Sequence, residues 1–312
     1  MIATVTLNPS LDEWIQLDTL RVGGLNRATG FTRYPGGKGI NVARVIHELG
    51  GHTIAYAVAG GEDGLILREL MNRLAIPHNF LTVQGSTRNN YKIRTARPRA
   101  LTEINAAGPV VSAAHLDALA QRFLGRRPPF RCVAFCGSLP PGVPSTIYRR
   151  WIRALRLRGI PTVLDASGGA LQHGLAGRPW CIKPNRQEAE ELLGRRLART
   201  KTLIDAAQGL LGRGPSVVIL SLGREGAVLA SSHPPAVWVA RPPVVKVESA
   251  VGAGDSLVGG FLVGWAMGLT LLESFRLGVA CGTASAMTPG TELCRRTDVQ
   301  RLRPCVAIRR VA

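Results

Sequence analysis

The sequence lacks long apolar runs, clustered cysteines and a signal-like N-terminus. No stretch of about 18 uncharged apolar residues is free of Gly, Trp and Thr interruptions, so we expect no transmembrane helix. The chain begins directly with the strand-like residues 2–7, which predicts no signal peptide. Its six cysteines lie far apart, and the nearest pair, Cys132 and Cys136, matches no metal motif. We therefore expect reduced thiols, a cytoplasmic protein and no membrane partner.

Histidines are also too few and too poorly spaced for two kinds of hydrolase. His47 precedes a glutamate, but the next histidine is His52, one residue too far to share a helix face with His47 around a zinc ion. Residues Gly254–Leu257 read GDSL, the nucleophile block of one esterase class, yet no histidine follows His233 to act as its base. Both hydrolase readings are therefore excluded.

Acidic and aromatic residues are scarce as well. Lys plus Arg number 39 against 20 Asp plus Glu, for a net charge of +19, and aromatics make up 5% of the chain. The basic residues are scattered, as at Arg149-Arg150 and Arg195-Arg196, which favours solvated helix faces over a nucleic-acid surface. We expect no specific nucleic-acid partner, but a general attraction for phosphorylated metabolites.

The most informative stretch that is present runs from residue 244 to residue 268. Its β-branched run Val244–Val247 predicts the end of a buried strand, the turn Gly252–Gly254 follows, and an apolar segment then predicts a helix that starts near Asp255. The first amides of a helix lack partners within it, so this turn predicts an anion site. A carboxylate beside such a site suits the deprotonation of an alcohol that attacks a bound phosphoryl group.

Two further interpretations of this stretch are a purely structural turn and a dinucleotide fingerprint. An aspartate in the first turn of a helix stabilises the helix without any ligand. The dinucleotide fingerprint requires a third glycine where Leu257 stands, and Asp255 would face the pyrophosphate directly. Local pattern excludes the fingerprint but leaves the structural turn open.

The rest of the chain predicts an α/β fold with a small accessory sheet. From residue 115 onward strands and helices alternate, which predicts a parallel sheet covered on both faces, with ligands at the carboxyl ends of its strands. The segments near residues 12–34 and 87–104 are extended and poor in large apolar residues, which suits a small sheet over the site. The glycine loop Pro35–Arg44 is not a Walker A loop, because Gly39 follows its lysine.

Five blocks along the chain resemble the PfkB branch of the ribokinase-like sugar kinases. They are Pro35–Arg44 (PGGKGINVAR), Gly137–Val143 (GSLPPGV), Lys183–Glu188 (KPNRQE), Ser221–Ala227 (SLGREGA) and Val251–Asp255 (VGAGD). The resemblance implies one kinase domain over residues 1–312. That domain would be a ribokinase-like α/β fold with a central, mostly parallel sheet flanked by helices and a small β-sheet lid.

The same resemblance implies a role for each matching residue. Asp255 is the expected catalytic base, beside an anion hole of Gly252, Ala253 and Gly254. The nucleotide, ATP, is expected at Lys183, Asn185, Ser221, Gly223 and Gly226, with Mg²⁺ near Glu188 through water. Sugar hydroxyls are expected at Asp12, Gly36, Gly37 and Asn41. Arg88 and Lys38 suit the substrate's own phosphate, Arg88 by a bidentate fork and Lys38 as a point charge. For Arg88 the sequence leaves a second interpretation open, an ordinary surface charge on the polar hairpin.

The blocks disagree on which phosphosugar is the acceptor. Thr102–Asn105 (TEIN) is similar to 1-phosphofructokinases, whereas Gly290–Cys294 (GTELC) is similar to the minor 6-phosphofructokinases. A carboxylate at Glu103 would repel a substrate phosphate and could accept hydrogen bonds from hydroxyls. These features favour fructose 1-phosphate, giving fructose 1,6-bisphosphate, ahead of fructose 6-phosphate or tagatose 6-phosphate. Ala250 replaces the threonine that usually precedes VGAGD, and so removes a polar contact expected near the nucleotide.

Two further expectations concern the class of protein and its assembly. A non-catalytic ligand-binding or regulatory protein on the same fold is the competing class, and the presence of Asp255 and Glu188 argues against it. Exposed sheet edges are usually covered in natural proteins, so we expect the lids of two chains to pair into a homodimer. The apolar lid residues expected at that contact are Trp14, Ile15, Leu17, Tyr91 and Ile93.

Overall fold

Strands and helices alternate along most of the chain, as the sequence predicts. The computed structural model describes residues 1–125 and 130–312. Its strands are β1 (Ile2–Thr6), β2 (Ser10–Leu17), β3 (Gly30–Gly36), β4 (Thr53–Ala59), β5 (His78–Thr82), β6 (Arg88–Thr95), β7 (Ala100–Asn105), β8 (Cys132–Cys136), β9 (Thr162–Asp165), β10 (Cys181–Ile182), β11 (Val217–Ser221), β12 (Ala227–Ser232), β13 (Pro235–Arg241) and β14 (Ala307–Arg310). Its helices are α1 (Lys38–Glu48), α2 (Gly61–Arg73), α3 (Ala113–Phe123), α4 (Ile147–Arg156), α5 (Gly168–Leu175), α6 (Arg186–Leu193), α7 (Thr200–Leu211), α8 (Ala253–Ala266), α9 (Leu271–Ala286) and α10 (Arg296–Leu302).

Most strands form one large sheet, which we call the central sheet. Within the described ranges it has ten strands, in the order β14-β13-β12-β11-β10-β9-β8-β1-β4-β5. Pairing is parallel from β11 to β5, and antiparallel among β11, β12, β13 and β14 at the other edge. This confirms the expected mostly parallel sheet.

Apolar clusters cover both faces of the central sheet. One cluster includes Val5 with Phe123 and Trp151 of α3 and α4, and the other includes Val45 of α1 with Phe261 of α8. Strands covered on both faces have near-continuous apolar sequences, which is why β8 (CVAFC) is buried at every position. The parallel strands therefore end together at one edge, where their loops meet.

The predicted strand at Val244–Val247 is wrong. β13 ends at Arg241, and Val244 is fully exposed while Val247 is 51% exposed. The residues after Arg241 are Pro242 and Pro243, which lack the N–H groups needed to continue a sheet ladder. An irregular connector therefore leads to the Gly252 turn.

A second, smaller sheet forms the expected lid. Its strand order is β3-β2-β6-β7, with β2 and β6 parallel and the other pairs antiparallel. These strands fall within or beside the predicted lid segments, residues 12–34 and 87–104. Trp14 and Leu17 are buried, and Trp14 donates to Thr291 Oγ1 of the body, whereas every residue of β7 is exposed. Among the described residues, no helix is both long enough and apolar enough to cross a bilayer.

Candidate active site

Helix α8 begins at the predicted glycine turn. Gly252 precedes the helix with a φ of 79°, and a Cβ there would collide with the Leu293 side chain, so glycine is required on both counts. In the described part of the chain, no acceptor faces the N–H groups of Gly254 and Asp255. Free amides of this kind suit an anion, as the sequence predicts, but the predicted Ala253 is not among them, because its N–H donates to Ala250 O at 3.3 Å.

Asp255 lies in the first turn of α8 and is 7% exposed. Asn41, on α1, donates a hydrogen bond from Nδ2 to Asp255 Oδ2 at 2.8 Å. Burial raises the pKa of the Asp255 carboxyl to about 6, and the nearby negative charge of Asp165 adds to the rise. The charges of Lys38 and Lys183 and the hydrogen bond from Asn41 act in the opposite direction. The result is a buried carboxyl that is deprotonated at neutral pH and can still accept a proton.

Asp165 is a site residue that sequence reasoning missed. It ends β9, is fully buried, and lies 3.0 Å from Lys38 Nζ and 3.4 Å from Lys183 Nζ through Oδ1. Burial alone would raise its pKa, but the charges of Lys183 and Lys38 outweigh burial and hold the pKa below its usual value. A carboxylate at the end of a predicted parallel strand was the signal that could have found it.

Lys38 therefore lies in a cluster of carboxylates. Besides Asp165, its Nζ is 3.7 Å from Glu188 Oε1. Burial disfavours the ammonium, yet the charges of Asp165 and Glu188 hold the pKa of Lys38 above its usual value. Lys38 does not line the cavity that contains Arg88.

Asn185 and Glu188 form a capping box at the start of α6. Asn185 Oδ1 accepts from the Glu188 N–H at 2.9 Å, and Glu188 Oε2 accepts from the Asn185 N–H at 2.8 Å. The cap uses one oxygen of the Glu188 carboxylate, and the other faces Lys38. The motif thus has a local structural role and also presents one oxygen towards the cluster.

The predicted nucleotide-side residues lie on adjacent elements. Ser221, at the end of β11, bridges to Asn185 and donates its N–H to Pro184 O at 3.0 Å. Gly223 opens the short turn that follows, and Gly226 closes it with a φ of 98°. A Cβ on Gly254 would lie 3.4 Å from Lys183 Nζ, which places that lysine beside the anion site.

The predicted sugar-side residues meet where the lid joins the body. Asp12, on β2, is 4% exposed, and its Oδ1 accepts from Ser10 Oγ at 3.0 Å. A Cβ on Gly36 would lie 2.5 Å from Asp12 Oδ1, so only glycine allows this approach. Gly37 precedes α1 with a φ of 107°. Asn90 also contacts the Ser10–Asp12 pair, through Nδ2 at 3.0 and 3.4 Å, and was not predicted from the sequence.

Arg88 lines a cavity of about 670 Å³ next to this junction. It donates to Asn8 O at 3.0 Å and Ala106 O at 3.2 Å, while among the described residues its buried Nε has no partner. Burial lowers the pKa of Arg88. Ser138 and Gly142 of the GSLPPGV block line the same cavity. A guanidinium that faces an open cavity is well suited to an anionic group.

Glu103 lies outside that cavity, on the outer strand β7. It pairs directly with Lys92 of β6, and Lys92 Nζ lies 3.1 Å from Glu103 Oε2. The lysine compensates the carboxylate charge, which weakens the repulsion expected from the sequence.

Comparison with known proteins shows the family of this chain. The pfkB family carbohydrate kinase profile matches residues 5–298. The chain belongs to the pfkB family of carbohydrate kinases. A pfkB-family relative, the ATP-dependent 6-phosphofructokinase isozyme 2 of Mycobacterium tuberculosis, is 37% identical over 96% of this chain and 88% of its own. The 1-phosphofructokinase of Bacillus subtilis is 36% identical over the full length of both chains.

A solved structure confirms the pfkB-type fold. Phosphofructokinase-2 from Escherichia coli, in complex with substrates and products, superposes with a TM-score of 0.92. The two chains are 33% identical, and the match covers 97% of this chain and 98% of the other. The ribokinase-like α/β architecture expected from the five blocks is therefore confirmed.

Proposed function

We propose that this pfkB-family kinase transfers a phosphoryl group from ATP to a hydroxyl of a ketohexose monophosphate. The observation that carries the proposal is Asp255, a buried carboxyl with a pKa of about 6 beside the free amides of α8. Asp255 takes the proton of the attacking hydroxyl, and the free amides of Gly254 and Asp255 stabilise charge on the transferring group. A purely structural turn would not need a buried carboxylate whose pKa is raised.

ATP and Mg²⁺ fit the residues on the nucleotide side. Lys183 beside Gly254 suits a phosphate, and the Ser221–Gly226 turn suits the rest of the nucleotide. The described residues contain no cluster of three or more metal-ligating side chains. Mg²⁺ usually keeps several waters and takes one or two carboxylates together with substrate phosphates, and bound there it neutralises phosphate charge. The carboxylate oxygens available to it are Glu188 Oε1, which lies 3.7 Å from Lys38 Nζ, and Asp165 Oδ2, which is buried without a hydrogen-bond partner among the described residues.

The substrate's own phosphate is proposed at Arg88, in the cavity beside the Asn8 loop. Asp12, Asn41 and the Gly36-Gly37 backbone would then hold the sugar hydroxyls. Lys38 remains a candidate phosphate contact, but on the side of the transferred group, because it contacts Asp165 and Glu188.

Fructose 1-phosphate remains our first choice of acceptor, with fructose 6-phosphate and tagatose 6-phosphate as alternatives. The choice rests on the similarity of Thr102–Asn105 to 1-phosphofructokinases and on the hydrogen-bonding capacity of Glu103. Charge repulsion contributes less than expected, because Lys92 pairs with Glu103. The relatives carry names of both kinds.

An ADP-release assay with the three sugar phosphates under one set of conditions tests both levels of the proposal. We expect the highest kcat/KM with fructose 1-phosphate. A tenfold or larger preference for another sugar, about 1.4 kcal/mol of transition-state free energy, would reverse the choice of acceptor. If the wild-type protein releases no ADP above the Asp255→Asn background with any of them, the phosphosugar kinase proposal fails.

We also propose a domain organisation, a location and an assembly for this protein. They are one kinase domain over residues 1–312, a cytoplasmic location and a homodimer formed through the lids. Within the chain Trp14 and Leu17 are already buried, so the dimer contact would use other apolar lid residues. The exposed ones are Val22, Leu25, Phe31, Tyr91, Leu101 and Ile104.

A further inference from the structure

Arg44, on α1, is a buried arginine, and in the part of the chain that the structure describes no carboxylate lies within ion-pair distance of it. It is 9% exposed. Among the described residues, its hydrogen bonds go to three uncharged oxygens: Pro35 O at 3.1 Å, Asn41 Oδ1 at 3.3 Å and Thr291 O at 2.8 Å. Burying a guanidinium against neutral acceptors costs free energy that a surface position would avoid. The position of Arg44 therefore calls for an explanation beyond stability.

Its bond to Asn41 determines which end of that amide faces the catalytic carboxylate. A guanidinium has donors and no acceptor, so the amide must present Oδ1 to Arg44. Nδ2 then points the other way, where it donates to Asp255 Oδ2 at 2.8 Å. An N–H aimed at a carboxylate stabilises the ionised form, whereas an amide oxygen there would favour the protonated form.

A second hydrogen bond ties Arg44 to the sugar side. It holds the carbonyl of Thr291, whose Oγ1 donates to Asp12 Oδ2 at 3.4 Å and accepts from Trp14 Nε1 at 2.8 Å. The guanidinium thus lies between the two carboxylates of the site, and the charges of Asp12 and Asp255 both stabilise it.

We propose that Arg44 is a positioning residue that fixes the amide orientation of Asn41, and thereby keeps Asp255 ionised and ready to act as the base. The inference rests on the proposed role of Asp255. Other groups that face Asp255 are Asp165 at the end of β9, Lys38 on α1, Lys183 after β10 and the Cys136 thiol at the end of β8. We expect these groups to stay in place when Arg44 is changed. Only the orientation of the Asn41 amide and the presence of the guanidinium charge then differ between wild type and variant.

The test measures kcat/KM from pH 5 to pH 9 in wild type and Arg44→Met, which keeps an unbranched apolar stem and removes the guanidinium with its donors. We expect the acid limb to move up by roughly one pH unit, so activity falls most at low pH and least above pH 8. Arg44→Lys, which keeps a donor-only cation, should move it less. Arg73→Met is the matched control, because Arg73 lines the same 410 Å³ outer cavity as Arg44 but pairs with Glu69.

A double mutant separates the effect of the Asn41 amide from the direct effect of the Arg44 charge. If Arg44 acts through Asn41, adding Arg44→Met to Asn41→Ala should move the acid limb by less than about 0.3 pH unit further. A full additional shift in that background would overturn the amide mechanism. If kcat/KM of Arg44→Met falls equally at all pH values and the acid limb does not shift, Arg44 has only a structural role.

Titration of the Asp255 carboxyl carbon by NMR in the unliganded protein tests the inference without turnover. We expect its pKa to rise in Arg44→Met and to stay at the wild-type value in Arg73→Met. If Asp255→Asn retains full turnover while Arg44→Met still raises this pKa, the proposed function is wrong and the positioning role stands. If Asp255→Asn is inactive and the pKa does not move, the positioning role is wrong.

Discussion

The two sheets of this protein differ in how much of their surface is buried. Every residue of β8, in the middle of the central sheet, is buried, and every residue of β7, at the edge of the lid, is exposed. Helices cover both faces of the central sheet, so its strands are held from all sides. The lid has one covered face, and its other face still carries apolar side chains such as Phe31 and Ile104.

The comparison shows how the site divides its tasks between the sheets. Asp255, Asp165 and Lys183 lie at the ends of central elements, where packing leaves them little freedom. Asp12 and Arg88 lie on lid strands. Polar contacts tie the lid to the body, among them Arg94 to Glu248 at 2.8 Å and Trp14 Nε1 to Thr291 Oγ1 at 2.8 Å. We therefore expect changes in the central sheet to affect stability and chemistry, and changes in the lid to affect assembly and substrate choice.

The largest contrast should come from one truncation in each region. Trp151→Ala removes a fully buried ring packed against Phe123 and Phe135, and should lower the free energy of unfolding by about 3–5 kcal/mol. Ile104→Ala on β7 should change it by less than about 0.5 kcal/mol in the monomer. Denaturant unfolding of both variants measures the difference, and equal losses would contradict the comparison.

Asp255→Asn tests the chemical side of the central sheet. It should keep the fold and nucleotide binding and lower kcat by at least ~100-fold, because general-base assistance contributes about 10²–10⁴-fold. In the wild type, kcat/KM should fall as the pH drops through about 6, since the base is then protonated. Asp117→Asn, an exposed carboxylate paired with Arg150, is the control. A variant with more than half of wild-type turnover at saturating substrate would exclude Asp255 as the base.

Ile104→Lys tests whether the bare lid face is covered by a second copy. A charge placed in an apolar contact between lids should weaken association about tenfold or more, with little effect on the unfolding of the monomer. Light scattering across a concentration series measures it, and Leu157→Lys, at an exposed apolar position on the body, is the control. If the wild-type protein is a fully active monomer at micromolar concentration, the proposal of a dimer formed through the lids is wrong.

Glu188→Gln should give the smallest of these effects. Glutamine can keep the capping box with Asn185, so stability should change by less than about 1 kcal/mol. The loss of charge should raise the Mg²⁺ concentration for half-maximal rate several-fold, because hard cations prefer carboxylate oxygen. If the Mg²⁺ titration is unchanged and the melting temperature is lowered, Glu188 only caps α6 and has no role in placing Mg²⁺.

Local sequence pattern predicts an element well where residue type, periodicity and flanking turn residues all indicate the same structure. β4 and β8 are strands that such a pattern predicts, since each is an apolar run bounded by turn residues. The β-branched run at Val244–Val247 led to a wrong prediction of a buried strand. Two prolines upstream end the hydrogen-bond ladder of the sheet and leave these valines exposed to solvent. Helix α5 cannot be predicted in this way, since its glycine-rich start carries little helical signal.

The sequence by itself determined the order of strands, glycine turns and helices. It therefore also determined that the loops after the parallel strands meet at one edge, with Asp255 at a helix start among them. Tertiary structure alone decided which side chains pair there: Asp165 with Lys38, and Asn41 between Arg44 and Asp255. The partners Asp165–Lys38 and Asn41–Asp255 lie more than a hundred residues apart, so no local periodicity encodes them. They come together because helices on both faces of the sheet set the distance between α1, β9 and α8.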